Sequence, residues 1–473
     1  MEVIHVSAEC FPVAKVGGLA DVVGALPKYL NAKKGIHKVV MPFYQKPFIE
    51  ENEWMVDYEN KVQCGADEYQ VKILKEKKNQ LGFDLYVVWI DYLFNRENVY
   101  GYQDDPYRFL AFQIAVLDWI NQWEHTPDII HCHDHQAGLI PFMMKYTFKY
   151  QKLTHIPSVF TIHNAQYQGW MSWDMLQYFP WFHQEYDQKY LEWNHEINSL
   201  ASAIKCAWKV TTVSPHYMWE LSQNANGLES LIQDEYEKCS GILNGIDEEV
   251  WNPEIDQDLI KNYSNKTFKK GKEENKKWLC ERFNFDMEKP LIAFIGRFAI
   301  EKGADILAET ILNSLNKAKQ DVNYLVLGSG AKYIEDSLES IIVQSDGKMN
   351  LYVGYNESLS RKVYAGADFM LIPSKIEPCG LNQMYSTRYG TIPIVHTVGG
   401  LYDTIVDYDD DNGFGIRFIH NDIHDIAHAI SRAEYVYNNP KKKDEIQKRM
   451  MKIDFSWNKS ALEYLNLYEN LIS

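Results

Sequence analysis

The chain has no CxxC pair, no basic surplus and no long apolar run. Its seven cysteines (Cys10, Cys64, Cys132, Cys206, Cys239, Cys280 and Cys379) are scattered and odd in number. That pattern argues against a disulfide scaffold and for a reducing, cytoplasmic setting. The formal net charge is −17. Such a field disfavours a nucleic-acid backbone or an anionic membrane as partner. No run of about 18 apolar residues occurs, as a membrane-spanning helix requires. The opening MEVIHVSAEC has no basic segment followed by an apolar stretch, so no signal peptide is evident. There is no GxxxxGK[ST] phosphate loop and no repeat of solenoid length.

What is present is length and alternation. At 473 residues, 46% hydrophobic and 24% charged, the chain is globular and long enough for two large domains. Strand-like runs alternate with helical patterns, the signature of βαβ units and parallel sheets. Val3 to Ser7, Asp128 to Cys132 and Pro157 to Ile162 read as strands. Gly18 to Leu30 reads as a helix, and Asp104-Asp105-Pro106 as a helix start. A second series begins with Leu291 to Ile295 and continues through Tyr324–Leu327, Leu351–Val353, Phe369–Ile372 and Ile392–Val395. The polar stretch from Asp256 to Lys277 lies between the two. The expected domains are therefore 1–253 and 263–455, with a hinge at 254–262 and a final helix at 456–473. Ligands of doubly wound domains bind at the carboxyl ends of the strands.

Four segments sit at such ends. Lys15-Val16-Gly17-Gly18-Leu19 follows the first strand and opens a helix, where backbone N–H groups and the Lys15 charge suit a phosphate. Read alone, it is more often only a tight connection. Gly296-Arg297-Phe298-Ala299-Ile300-Glu301-Lys302-Gly303 also leaves a buried strand, and Arg297 and Lys302 together can hold a diphosphate. Pro373-Ser374-Lys375-Ile376-Glu377-Pro378-Cys379-Gly380-Leu381 places Glu377 before another helix start. His131-Cys132-His133-Asp134-His135 has the residue types of a metal cluster, but no downstream Cys or His set completes one, so a polar sugar-binding strand end is the better reading and no metal is expected. The aromatic run from Tyr167 to Trp193 reads mainly as a packed helical subdomain, with some rings able to stack on sugars.

Together these motifs resemble one family along nearly the whole chain. They include ECFPVAKVGGLADVVGALP at Glu9–Pro27, HCHDHQAGL, TIHNAQYQG, TTVSP and GILNGID. GRFAIEKG, GYNESLSRKVYAGADFMLIPSKIEPCGLNQMYSTRYGTIPIV, GGLYDT and DFSWNKSALEYLNLY follow in order. The sequence is similar to bacterial glycogen synthases and plant starch synthases, retaining GT-B glucosyltransferases of family GT5. The resemblance implies an α/β fold of two Rossmann-like doubly wound domains facing across a deep cleft, with a C-terminal helix crossing back to the N-terminal domain.

It also implies transfer of glucose from ADP-glucose to the nonreducing end of an α-1,4-glucan such as glycogen, with no cofactor. Carried over residue by residue, Arg297, Lys302, Glu377, His163 and Asp134 are the catalytic candidates. Lys15, Gly18, Asn244, Tyr355, Cys379, Gly380 and Leu381 are donor-binding candidates, and Glu9 and Asp21 acceptor-binding ones. Retention is compatible with double displacement or with front-face attack; the family reading favours the latter. Two departures bear on acceptor preference: His135 stands where the family pattern has Trp, and Ala165 where it has Leu. Glu301 replaces a frequent Gln, and His396 a commonly basic position. The alternatives are a GT-B enzyme using UDP-glucose or another acceptor, and a catalytically silent glucan-binding protein.

Overall fold

The computed structural model describes residues 1–317 and 320–473. The chain divides into two compact units, Met1–Asn244 with Trp457–Ser473, and Gly245–Ser456.

The first unit is built on a nine-stranded sheet ordered β12-β11-β7-β6-β1-β2-β5-β4-β3. Its strands are β1 (Glu2–Val6), β2 (Ile36–Pro42), β3 (Trp54–Cys64), β4 (Asp67–Glu76), β5 (Asp84–Ile90), β6 (Ile129–His133), β7 (Ser158–Ile162), β11 (Lys209–Thr212) and β12 (Cys239–Gly241). From β12 to β5 neighbouring strands are parallel, and β4 and β3 add antiparallel pairs. The parallel strands are buried on both faces, as helix-covered sheets require: every residue of β6 and β7 is buried. The β3–β4 hairpin, by contrast, alternates with a largely exposed face. That polarity is why no strand was expected there.

Helix Gly18–Asn31 buries Leu19, Val22, Val23, Leu26 and Leu30. It packs against helix Trp457–Ile472, whose Trp457, Ala461, Tyr464 and Tyr468 share a core with Val3, Val22, Leu26 and Ile129. The aromatic run is not a helical subdomain. It forms short 3-10 turns, such as Trp173–Tyr178, and a small antiparallel sheet of β8 (Trp170–Met171), β9 (Glu192–Trp193) and β10 (Glu196–Asn198). Trp181 is 86% exposed.

The second unit has a six-stranded parallel sheet ordered β15-β14-β13-β16-β17-β18. These strands are β13 (Leu291–Phe298), β14 (Asn323–Gly330), β15 (Met349–Val353), β16 (Phe369–Ile372), β17 (Ile392–His396) and β18 (Ile416–Phe418).

The expected boundary at residue 253 and hinge at 254–262 differ from this division. The second unit begins at Gly245, and 254–262 lies inside it. Leu259 and Tyr263 belong to its core. Asp256 is buried and bonds Arg361 and Tyr389, while Asn275 receives the backbone N–H of Ile260. The polar residues read as part of a hinge are there because buried backbone and charge need partners.

Candidate functional site

Both sheets reverse their build direction at one point, β1/β6 in the first unit and β13/β16 in the second. Within each unit, the loops leaving these strands' carboxyl ends border the switch point, the usual ligand position in doubly wound sheets.

In the second unit the β13 and β16 loops meet. Gly303 has φ of +68°, and a Cβ there would come within 2.0 Å of the Pro373 carbonyl oxygen, so only glycine permits this approach. The approach brings Lys302 Nζ to 2.8 and 2.7 Å from the two oxygens of Glu377. Ser374 Oγ donates to Glu377 Oε2 at 2.8 Å, and the Glu377 carbonyl accepts from Gly400 N at 3.0 Å. Glu377 is thus locked, at 8% exposure. Arg297 is largely exposed and pairs with Glu301 at 2.8 Å. The carbonyl of Glu301 in turn accepts from Lys375 N. His396 lies between the carbonyls of Ser374, at 2.7 Å from Nδ1, and Ile419, at 2.9 Å from Nε2, so it braces the Glu377 loop. Gly380 has φ of +76° and precedes the short helix Asn382–Arg388, with Leu381 at its N-cap and Cys379 buried. Tyr355 is 83% exposed, its hydroxyl donating to Glu357.

In the first unit the Lys15–Leu19 loop is tied down by Glu9. Its Oε2 accepts from Val16 N at 2.5 Å and Gly17 N at 3.0 Å, and its Oε1 from the Tyr100 hydroxyl at 2.7 Å. Burial pushes the Glu9 carboxyl upward, against these donors. Both oxygens face inward bonds, so Glu9 shapes the loop. Two backbone donors assigned to a phosphate are likewise taken. Lys15 pairs with Asp21 at 2.7 Å. A Cβ on Gly17 or Gly18 would meet nothing within 4 Å, so the protein itself does not need glycine's small size here. The bare backbone leaves room for something outside the chain.

Asp134 ends β6 with φ of +55°, and its Oδ1 accepts from His163 N at 2.7 Å. Burial, opposed by backbone donors, pushes Asp134 up to about 7. His163 is pushed down to about 3 by burial. Asn244 is buried, and its Oδ1 has no hydrogen-bond partner among the described residues. Such an orphaned acceptor is costly unless a ligand satisfies it. His135, in place of a family Trp, packs against Gly169, whose added Cβ would meet its ring at 2.7 Å.

The sequence reading missed what lies beneath. His5 pairs in register with His131 on the adjacent strand. His5, His131 and His133 offer nitrogens within 4.8 Å of one another, the residue set of a metal centre. All six ring nitrogens are engaged, two of them with each other. His131 meets Tyr468 and Thr161, His5 meets His133 and His37, and His133 meets His5 and His163. His133 also stacks with His131 at 4.2 Å, while it meets His5 through the Nε2–Nδ1 contact, so the ring nitrogens bond one another and their protein neighbours. This is a hydrogen-bonded core. The signal that finds it is His5 facing His131, which needs the strand pairing.

A family profile described as starch synthase catalytic domain matches residues 2–234, and one described as glycosyl transferases group 1 matches residues 276–452. The chain is 48% identical to a glycogen synthase of Flavobacterium johnsoniae, with 100% of this chain and 99% of the relative covered. The chain belongs to the glycogen and starch synthase family. A glycogen synthase of Acholeplasma laidlawii is 35% identical over 100% of this chain and 99% of its own length. The solved catalytic domain of starch synthase IV from Arabidopsis thaliana, bound to ADP and acarbose, superimposes with a TM-score of 0.90 at 32% identity, covering 100% of this chain and 99% of that one. A sucrose-phosphate synthase from Thermosynechococcus elongatus, at 15% identity and a TM-score of 0.63, covers 99% of this chain and 98% of its own and shares the fold. The two parallel α/β units are those of GT-B glycosyltransferases. Among the described residues, no helix is long and apolar enough to cross a membrane.

Proposed function

We propose that this family member transfers glucose from ADP-glucose to the nonreducing end of an α-1,4-glucan with retention of configuration. The observation that carries the residue roles is the Lys302–Glu377 contact, locked by Ser374 at the β13/β16 switch. Lys302 and the exposed Arg297 are two cations on one strand-to-helix loop, placed to neutralise a leaving diphosphate. Fixed charges in a site that needs no rearrangement give strong transition-state stabilisation. As the bond from the anomeric carbon to the diphosphate oxygen breaks, the sugar gains oxocarbenium character. The acceptor hydroxyl then attacks from the same face, and its proton passes to the leaving phosphate oxygen.

Tyr355 is the candidate to stack on the base, and Cys379, Gly380 and Leu381 hold the glucosyl group alongside Glu377. In the first unit, Asp134, His163 and Asn244 are the sugar-binding set. Asn244 brings an acceptor that lacks a partner among the described residues. Lys15 and Gly18 line the open loop for the donor, with Asp21 beside them on the acceptor side, while Glu9 acts through the loop. The seven thiols form no disulfide, which suits a cytoplasmic enzyme.

The test is a donor panel with glycogen as acceptor and chelator present. Incorporation of glucose from ADP-glucose is expected, faster than from UDP-glucose. The reverse order would overturn the donor assignment, and glycogen binding without turnover of any nucleotide sugar would overturn the activity.

A further inference from the structure

Four buried histidines in the first unit form a single file. His37 Nδ1 lies 3.4 Å from His5 Nε2, His5 Nδ1 lies 3.2 Å from His133 Nε2, and His133 Nδ1 lies 3.0 Å from His163 Nε2. At the far end, His37 Nε2 lies 3.4 Å from the carbonyl oxygen of Lys34. His5, His37 and His133 have no solvent exposure, and His163 is 8% exposed. Burial lowers the proton affinity of all four rings, so each is neutral near pH 7 and carries one hydrogen.

A carbonyl oxygen only accepts, and this sets the polarity of the file. To bond Lys34 O, His37 must carry its hydrogen on Nε2, which leaves Nδ1 bare. His5 must then donate from Nε2, and its own bare Nδ1 receives the hydrogen on His133 Nε2. His133 Nδ1 receives the hydrogen on His163 Nε2. The reverse polarity would point a His37 lone pair at a carbonyl oxygen. We propose that His37, His5 and His133 are positioning residues that hold His163 in the tautomer with its hydrogen on Nε2 and a lone pair on Nδ1.

The consequence is selective. A bare Nδ1 accepts from a hydroxyl but repels a phosphate or carboxylate oxygen, which has no hydrogen to give. His163 would thus favour a sugar hydroxyl over the diphosphate of the same donor. That use of the lone pair rests on the proposed glucosyl transfer; the tautomer does not. His131 stands outside the file, between Tyr468 and Thr161.

The test is two-bond proton–nitrogen correlation spectroscopy of the full chain carrying ¹⁵N-histidine, with His163 assigned by the signals lost in His163→Gln. The wild type is expected to show His163 with Nε2 protonated and Nδ1 bare. In His37→Phe, which removes both bonds at the remote end, the two nitrogens of His163 should move toward averaged shifts. With that loss, kcat should fall about 5- to 10-fold with a smaller change in donor KM. Tyr468→Phe, which removes a partner of His131 only, should leave the His163 pattern intact. A wild-type His163 protonated on Nδ1 overturns the proposal whatever the variants do. So does a His37→Phe protein with unchanged His163 signals. The expected spectra in a protein that turns over no nucleotide sugar would uphold the tautomer and overturn the functional reading.

Discussion

The two units place their candidate residues at the same topological position and equip it in opposite ways. In the second unit the switch point is lined by formal charge: Lys302 on Glu377, Arg297 on Glu301 and Lys375 on Asp305. In the first unit, apart from the Lys15–Asp21 pair on the loop after β1, it is backed by neutral imidazoles, an Asp134 whose proton affinity is raised, and an orphaned amide oxygen at Asn244. One edge suits a diphosphate, which brings charge. The other suits a sugar, which brings hydroxyls that donate and accept. A shared fold is thus divided by chemistry, and electrostatics separates the two halves more sharply than topology does.

Acid should break the comparison most strongly. His5, His37, His131, His133 and His163 all hold protons less tightly folded than unfolded, from a starting value of 6.5. The unfolded state therefore binds more protons below that value, and stability falls as pH drops through about 6.5 and below. Each histidine contributes up to about 1.4 kcal/mol per pH unit, while Asp134, whose folded value is raised to about 7, works in the opposite sense and offsets one of them. In the second unit, burial opposes ionisation of Asp368, but Lys443 and Lys276 overcome it and hold its carboxyl well below the usual range. That contribution persists until pH falls below ordinary carboxylate values near 3.8. Hydrogen exchange across a pH series should show the first unit opening before the second. Simultaneous opening would remove the distinction.

Next in size is the charged edge itself. Lys302→Ala should lower kcat by about 10²- to 10³-fold, roughly 3–4 kcal/mol, since the lost cation acts on developing charge. Initial rates with saturating ADP-glucose measure it, and near-normal turnover would remove the diphosphate role. Glu9→Gln should be milder. It weakens the charge-assisted bonds to Val16 and Gly17 by about 1–2 kcal/mol, and should show as a raised donor KM with the fold intact. The smallest structural effect is expected for Gly17→Ala. Its Cβ meets no protein atom, so stability in urea should change by less than about 0.5 kcal/mol while donor affinity drops. A large loss of stability would assign that glycine to packing.

These contrasts show what a single sequence carries. Buried parallel strands were legible because their apolar runs are continuous, as at Leu291–Ile295 and Phe369–Ile372. Helix Gly18–Asn31 was legible from its glycine start and its apolar spacing. Lys302 and Glu377 were singled out, but their contact depends on the close approach at Gly303, which no local pattern encodes. The β3–β4 hairpin escaped because its exposed face carries as many polar residues as a loop. The supposed hinge misled because Asp256, Asn262 and Asn275 are polar for internal bonding. Glu9 reads as an acceptor-side residue, and its hold on the loop shows only when its two loop N–H donors are seen. His5 and His37 read as ordinary strand residues, since a file of rings across four strands exists only once β2, β1, β6 and β7 lie side by side.

The last helix, Trp457–Ile472, carries a consequence for how the chain is made. Its Tyr468 reaches His131, and its inner face closes a core begun by Val3 and Ile129. On the ribosome, the second unit is complete as a continuous stretch by Ser456, whereas the first must wait with an open flank until Trp457–Ser473 emerges. The core around Val3 is therefore enclosed only after the second unit has been made, and a nascent chain stalled shortly before Trp457 would expose that flank to chaperones and proteases.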